Sequence, residues 1–253
     1  MSSKIVVERN GAVTTIRINR PEVRNALDCE ATRELAQAFR QFEEDPQAKV
    51  AVLCGTGNAF CAGADLKELA EGTVYEPWAG SEGGPLRRPL SKPVIAAIAG
   101  YACAGGLGVA LWCDLRVVEE TATFAVLSRR WGVPMSDGTT VRLPRLIGMG
   151  RALDMLLTGR KVGAAEALEM GLANRVVPEG QSRTAAEALA REIAAFPELA
   201  MLSDRRSVYE QEALTLDDAV MNEARVSREA RENGATQGAG RFAAGAGRHG
   251  AMS

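Results

Sequence analysis

Apolar positions in the first half of the chain come in short runs bounded by turn residues, at 4–8, 13–19, 50–54, 94–99 and 114–118, and these predict β-strands. The first two runs meet at Asn10-Gly11, a dipeptide that suits the turn of a hairpin. The later runs are separated by helical patterns, which favours parallel pairing. Over 30–44, Leu35, Ala38, Phe39 and Phe42 recur at three- and four-residue spacing, so one face of a helix is apolar, and Asp28 stands where its N-terminal cap belongs.

From about Gly138 the pattern turns helical. Leu153, Leu156 and Leu157 form one stripe and 164–170 another, and long helices are predicted over 185–196 and 216–232. The stretch 72–84 holds four glycines and few aliphatics, and is the expected mobile loop. The Gly- and Ala-rich tail 234–253 is expected to order only against a partner subunit. There is no repeat of fixed period. A coarse echo exists all the same: 50–54 and 94–98 each lead through a small-residue turn into a helix start, at Gly63-Ala64-Asp65-Leu66 and at Gly105-Gly106-Leu107.

Composition adds limits to this picture. The chain has 253 residues, 46% hydrophobic and 25% charged, which suits one large globular domain or two small ones. Thirty Lys and Arg against 32 Asp and Glu, with the basic residues scattered, argue against nucleic acid and anionic membranes as partners. The uncharged stretch 94–112 is interrupted by glycines and reads as a buried strand, turn and helix rather than a membrane span. Lys4, Glu8 and Arg9 break any signal-peptide pattern, so a cytoplasmic location is expected. The five cysteines form no CxxC pair and the single histidine is His249, so no metal site is expected. The thiols read as reduced core fillers, with Cys61 and Cys103 in the loops that matter next.

In the loop 58–67, small side chains let a ligand approach the backbone while Asp65 begins a helical run. A helix N-terminus leaves N–H groups unpaired, suited to an anion or a developing oxyanion. The loop 100–108 repeats this ahead of an apolar helix, and two such turns face to face make a two-donor hole. Close packing of a helix on a sheet asks for the same small residues. Neither GxxxxGK[ST] nor GxGxxG with a downstream acid occurs, which argues against nucleotide-dependent chemistry.

Seven segments together resemble the crotonase superfamily, the enoyl-CoA hydratase/isomerase family. They are Asn19-Arg20-Pro21-Glu22-Val23-Arg24-Asn25-Ala26-Leu27, Phe60-Cys61-Ala62-Gly63-Ala64-Asp65-Leu66, Gly100-Tyr101-Ala102, Ala110-Leu111-Trp112-Cys113-Asp114-Leu115-Arg116, Arg142-Leu143-Pro144-Arg145, Leu157-Thr158-Gly159 and 164–172. They cover most of the chain in the family's order. The resemblance implies an α/β fold, a crotonase-like spiral of ββα units over 1–195, with a C-terminal helical trimerisation module over 196–253. It also implies a homotrimer or hexamer, and an acyl-CoA thioester as substrate, with coenzyme A part of that substrate and no separate cofactor. By position, Ala64 and Gly105 resemble the two oxyanion-hole donors. Arg24, Ala26, Ala62, Asp65 and Leu66 resemble the surface that receives the nucleotide and pantetheine. Lys67 reads either as a phosphate contact or as a solvated lysine.

The family's hydration chemistry uses two glutamates that hold a water, and Gly108 and Ser128 stand at the corresponding places. Two-glutamate hydration is therefore not expected, and restoring a glutamate at 108 is expected to raise it if the pocket is otherwise intact. Asp137 is the remaining carboxylate, with Ser136 competing for the same place. Burial beside Val133, Pro134 and Met135 would raise its pKa, while the other reading makes it an N-cap for a helix over 139–147. Glu119 and Glu120 read as solvated, Trp131 and Tyr101 first as core and second as acyl-pocket lining, and Arg129 and Arg130 as surface charges or partners of an acidic acyl tail. Two functions follow. One is an enzyme that stabilises a thioester enolate, with one-base isomerase-type or thioester chemistry. The other is a non-catalytic acyl-CoA-binding or assembly protein.

Overall fold

The computed structural model describes residues 3–76, 78–80 and 84–245. Its first half runs β1 (Ile5–Asn10), β2 (Val13–Ile18), α1 (Cys29–Glu44), β3 (Val50–Gly55), β4 (Ala59–Cys61), α2 (Leu66–Ala70), β5 (Val94–Ile98), β6 (Tyr101–Cys103), α3 (Gly105–Trp112), β7 (Leu115–Glu119) and β8 (Thr123–Ala125). A 3-10 turn, Leu127–Trp131, leads into α4 (Thr139–Ile147), α5 (Met149–Thr158), β9 (Lys161–Gly163), α6 (Ala164–Glu169), β10 (Arg175–Val177) and α7 (Ser182–Ala195). The remainder is helical: α8 (Glu198–Glu210), α9 (Leu216–Val226), α10 (Arg228–Ala230), a π-turn over Arg231–Ala235, and α11 (Thr236–Ala243). Two compact units result, 1–193 and 194–253.

The larger sheet has the order β1-β2-β3-β5-β7-β10, antiparallel only at the opening hairpin and parallel thereafter. β3 and β5 are nearly continuous apolar runs because both faces are covered, and Val50 to Leu53 and Ile95, Ala96 and Ile98 are fully buried. The second sheet, β4-β6-β8-β9, is built from three-residue strands. A long strand, a short strand and a helical turn thus recur as β3-β4-α2, β5-β6-α3 and β7-β8 with its 3-10 turn, the ββα units expected. Cys61 and Cys103, read from sequence as loop residues, end the short strands β4 and β6, which are too brief for a period to reveal.

Packing explains the helices. Asp28 caps α1, its carboxylate accepting from Ala31 N–H at 2.7 Å, and the face Ala31, Leu35, Ala38, Phe39 and Phe42 is buried. Phe39 meets Trp112 of α3 edge to face, with centroids 4.8 Å apart. All of α3 beyond Gly105 is buried, and the buried Arg116 guanidinium donates to Ala110 O and Cys113 O at its C-terminal end, where a cation is favoured.

Several expectations need correction. Glu119 is not solvated: it is buried and accepts from Ser182 Oγ at 2.7 Å at the start of α7, whereas Glu120 is exposed. On α5 the buried residues are Ala152 and Met155, which leaves Leu153 and Leu157 exposed. The helix expected over 216–232 breaks at Ser227 and resumes through the π-turn. Of the segment 72–84, residues 77 and 81–83 lie outside the described ones, and Trp78 is buried. In the C-terminal unit, Glu210 of α8 accepts from Asn222 and Arg225 of α9, each at 2.9 Å, and His249 lies outside the described residues. No helix among the described residues is long and apolar enough to cross a membrane.

Candidate active site

The segment 24–27 runs beside 62–65 as a short parallel bridge. Ala62 N–H donates to Arg24 O, Leu27 N–H to Gly63 O at 2.8 Å and Asp65 N–H to Leu27 O at 2.9 Å. In such a bridge one residue takes both bonds from the flanks of its partner. Ala64, opposite Leu27, therefore turns its own N–H the other way, and that N–H has no acceptor among the described residues. The turn before the bridge is held by buried Asn25, whose side chain accepts from Arg20 N–H and donates to Thr56 O and Ala59 O. Arg24 and Asn25 both take left-handed φ values, 54° and 56°.

The second donor comes from the start of α3. Ala104 is held at φ 48°, ψ −124°, a conformation that costs a non-glycine residue on the order of 1–3 kcal/mol, with its N–H on Ala125 O. Ala104 has no capping side chain, and Gly105 N–H finds no acceptor among the described residues. The two turns touch at Gly63, where φ is +101° and a Cβ would stand 2.8 Å from Gly105 N. Any side chain at 63 would cover that donor.

Asp137 approaches α3 from the loop before α4. Its carboxyl lies against Gly108, where an added Cβ would sit 2.4 Å from Cγ and 2.6 Å from Oδ2. Gly108 is three residues beyond Gly105, on the same helix face, so the carboxyl lies one turn along from the donor. Asp137 Oδ1 accepts from Thr139 N–H at 2.9 Å, and Asp137 O accepts from Arg142. Gly138, not Asp137, is the N-cap residue, but the carboxylate does serve the first turn of α4. Burial pushes the Asp137 pKa up; hydrogen bonds from Thr139 and the charge of Arg142 oppose without cancelling it.

Ala64, Gly105 and Asp137 line one cavity of about 410 Å³, together with Ala62, Leu66, Trp78, Ser128, Trp131, Met135 and Ser136. Ser128 is buried and its hydroxyl donates to Met135 Sδ at 3.2 Å; among the described residues no hydrogen bond joins it to a basic side chain. Trp131 is 72% exposed, so it belongs to the cavity wall and not to the core. Tyr101 is also outside the core, its ring 5.7 Å from the Arg24 guanidinium, and it does not line the cavity. Of the expected nucleotide and pantetheine surface, Ala62 and Leu66 line the cavity, and Ala26 is buried and not among the lining residues. Arg24 and Lys67 are exposed. Asp65 spends its carboxylate on Arg20 at 3.0 Å and on Lys67 N–H. Arg129 and Arg130 are exposed, with Arg129 donating to Leu156 O. A side chain at 108 would meet the Asp137 carboxyl, so a glutamate there needs that carboxyl to shift. Sequence reasoning missed Trp78, which lies in a Gly-rich segment with no periodic pattern.

The model of the enoyl-CoA hydratase/isomerase family matches residues 8–243. Enoyl-CoA hydratase EchA19 of Mycobacterium tuberculosis is 40% identical over 221 residues, 85% of this chain and 83% of that protein. Carnitinyl-CoA dehydratase of Proteus mirabilis is 38% identical over 205 residues, covering 79% of this chain and 78% of that one. A solved enoyl-CoA hydratase from Mycobacterium tuberculosis superposes with a TM-score of 0.89 at 35% identity, over 96% of each chain. The chain belongs to the enoyl-CoA hydratase/isomerase family, the crotonase superfamily.

Proposed function

We propose that this chain acts on an acyl-CoA thioester, with Ala64 and Gly105 N–H donating to the thioester oxygen and Asp137 exchanging a proton with the carbon beside the carbonyl. The observation that carries this is the Asp137 carboxyl lodged against Gly108, one helical turn from an N–H that has no acceptor among the described residues. Two N–H donors favour the charge that gathers on oxygen as a proton leaves the α-carbon. A carboxyl with a raised pKa is a better base for that proton than an ordinary one. A single carboxyl suits double-bond isomerisation, in which the proton removed from one carbon returns to another. The names of the relatives, enoyl-CoA hydratase and carnitinyl-CoA dehydratase, point to the same enolate step within the addition or removal of water. Coenzyme A would lie along 24–27 and 62–66, with Arg24 and Lys67 exposed and available to its phosphates.

Deuterium exchange at the α-carbon of butyryl-CoA, together with turnover of crotonyl-CoA, tests the assignment. Asp137→Asn should slow both by about 10²–10⁴-fold while acyl-CoA affinity stays within about threefold. Undiminished exchange in that variant would remove Asp137 from the mechanism. Tight binding with no exchange or turnover in the unmodified protein would favour the non-catalytic acyl-CoA binder.

A further inference from the structure

An indole lines the cavity that holds the two donors and packs against one of them. Trp78 is 6% exposed, and its ring lies so close to Gly105 that a Cβ there would be 2.6 Å from Cζ3 and 3.1 Å from Cη2. The peptide unit that follows the indole is tied down: Trp78 O accepts from Leu86 N–H at 2.9 Å, and Ala79 N–H donates to Ser136 O at 3.3 Å, next to Asp137. Beyond the ring lies a second cavity, about 610 Å³, running along α1 past Arg33, Gln37 and Arg40. Tyr75, Glu76 and Trp78 border both spaces and so stand between them.

We infer that Trp78 sets the acyl-chain length by closing the inner end of the substrate cavity, and is a specificity-determining residue. The inference rests on the acyl-CoA reading above. With the thioester oxygen at Ala64 and Gly105, the first acyl carbons lie beside Asp137 and the rest of the chain has only the remaining cavity to fill. That cavity, about 410 Å³, must take the thioester end of pantetheine as well as the acyl group. A longer chain has no continuation unless it displaces the indole. A small side chain at 78 joins the first cavity to the second.

Isothermal titration of the full-length protein with butyryl-, octanoyl- and dodecanoyl-CoA tests this in the unmodified chain, in Trp78→Ala and in Trp78→Leu. The leucine variant keeps an apolar filling in case alanine prevents folding. The unmodified protein should bind octanoyl-CoA no more tightly than butyryl-CoA. Both variants should raise the ratio of octanoyl-CoA to butyryl-CoA affinity about tenfold, roughly the effect of burying two further methylenes. An unchanged length profile in the variants, or steadily rising affinity up to dodecanoyl-CoA in the unmodified protein, overturns the role of Trp78. Failure of every thioester to bind every protein overturns the acyl-CoA reading itself.

Discussion

Asp137 carries two duties on one carboxyl: Oδ1 holds Thr139 N–H while the group as a whole faces Gly108 and the cavity. Its burial disfavours the ionised form, so between the ordinary value of 3.8 and the raised one the folded chain holds a proton that the unfolded chain has lost. Stability from this group is therefore present at low pH and lost as pH rises through the folded pKa. Asp137→Asn, which keeps an acceptor for Thr139, should melt a few degrees higher than the unmodified protein at pH 8, with the difference closing below about pH 3.8. Thermal melts across that range decide it; a constant difference would mean that ionisation is not the cause. Gly63 offers a second residue-scale test. A Cβ there would sit 2.8 Å from Gly105 N, so Gly63→Ala should lower kcat by roughly 10²–10³-fold, the usual cost of losing one oxyanion donor. Steady-state kinetics that show only a higher KM would argue against the Gly105 assignment.

Elements were legible in sequence where burial imposes a period. α1 reads clearly because five apolar residues share one face and Asp28 caps it; α8 was not singled out, and it carries no buried face to mark its bounds. The short strands β4, β6 and β8 have too few residues to alternate, yet they bring the two donor turns together. Ala64 and Gly105 were readable from small residues ahead of helix starts, since that signal is local. The meeting of Asp137 with Gly108, and of Trp78 with Gly105, depends on how distant segments pack, and no local pattern encodes it. The α1 cap gives a prediction at this scale. Burial raises the Asp28 pKa, but hydrogen bonds from Lys4 and Ala31 N–H and the charge of Arg20 outweigh it and hold the carboxyl below its ordinary value. Asp28→Ala should cost about 1–2 kcal/mol at neutral pH, a fall in Tm of roughly 2–8 °C. The loss should shrink as pH falls and the native carboxylate protonates, which melts at several pH values would reveal.

Across the whole molecule, the five thiols report how closed the core is. Cys54, Cys61, Cys103 and Cys113 are buried, and burial raises all four, Cys54 and Cys103 to about 11. Little thiolate exists at neutral pH and little of it is reachable. A thiol reagent such as Ellman's should modify at most Cys29 in the native protein and all five cysteines after denaturation. Rapid labelling of Cys61 or Cys103 in the native state would mean that the donor loops open far more readily than their packing suggests.

The contact between Asp137 and Gly108 also constrains how this chemistry can change over generations. A longer side chain at 108 meets the carboxyl at once, and a shorter one at 137 leaves the cavity without that acid. An acid can move between these loops only through an ancestor that has lost it or one that carries a collision in its core. Neither intermediate serves catalysis, so an engineer who wishes to move the acid must change both positions at once.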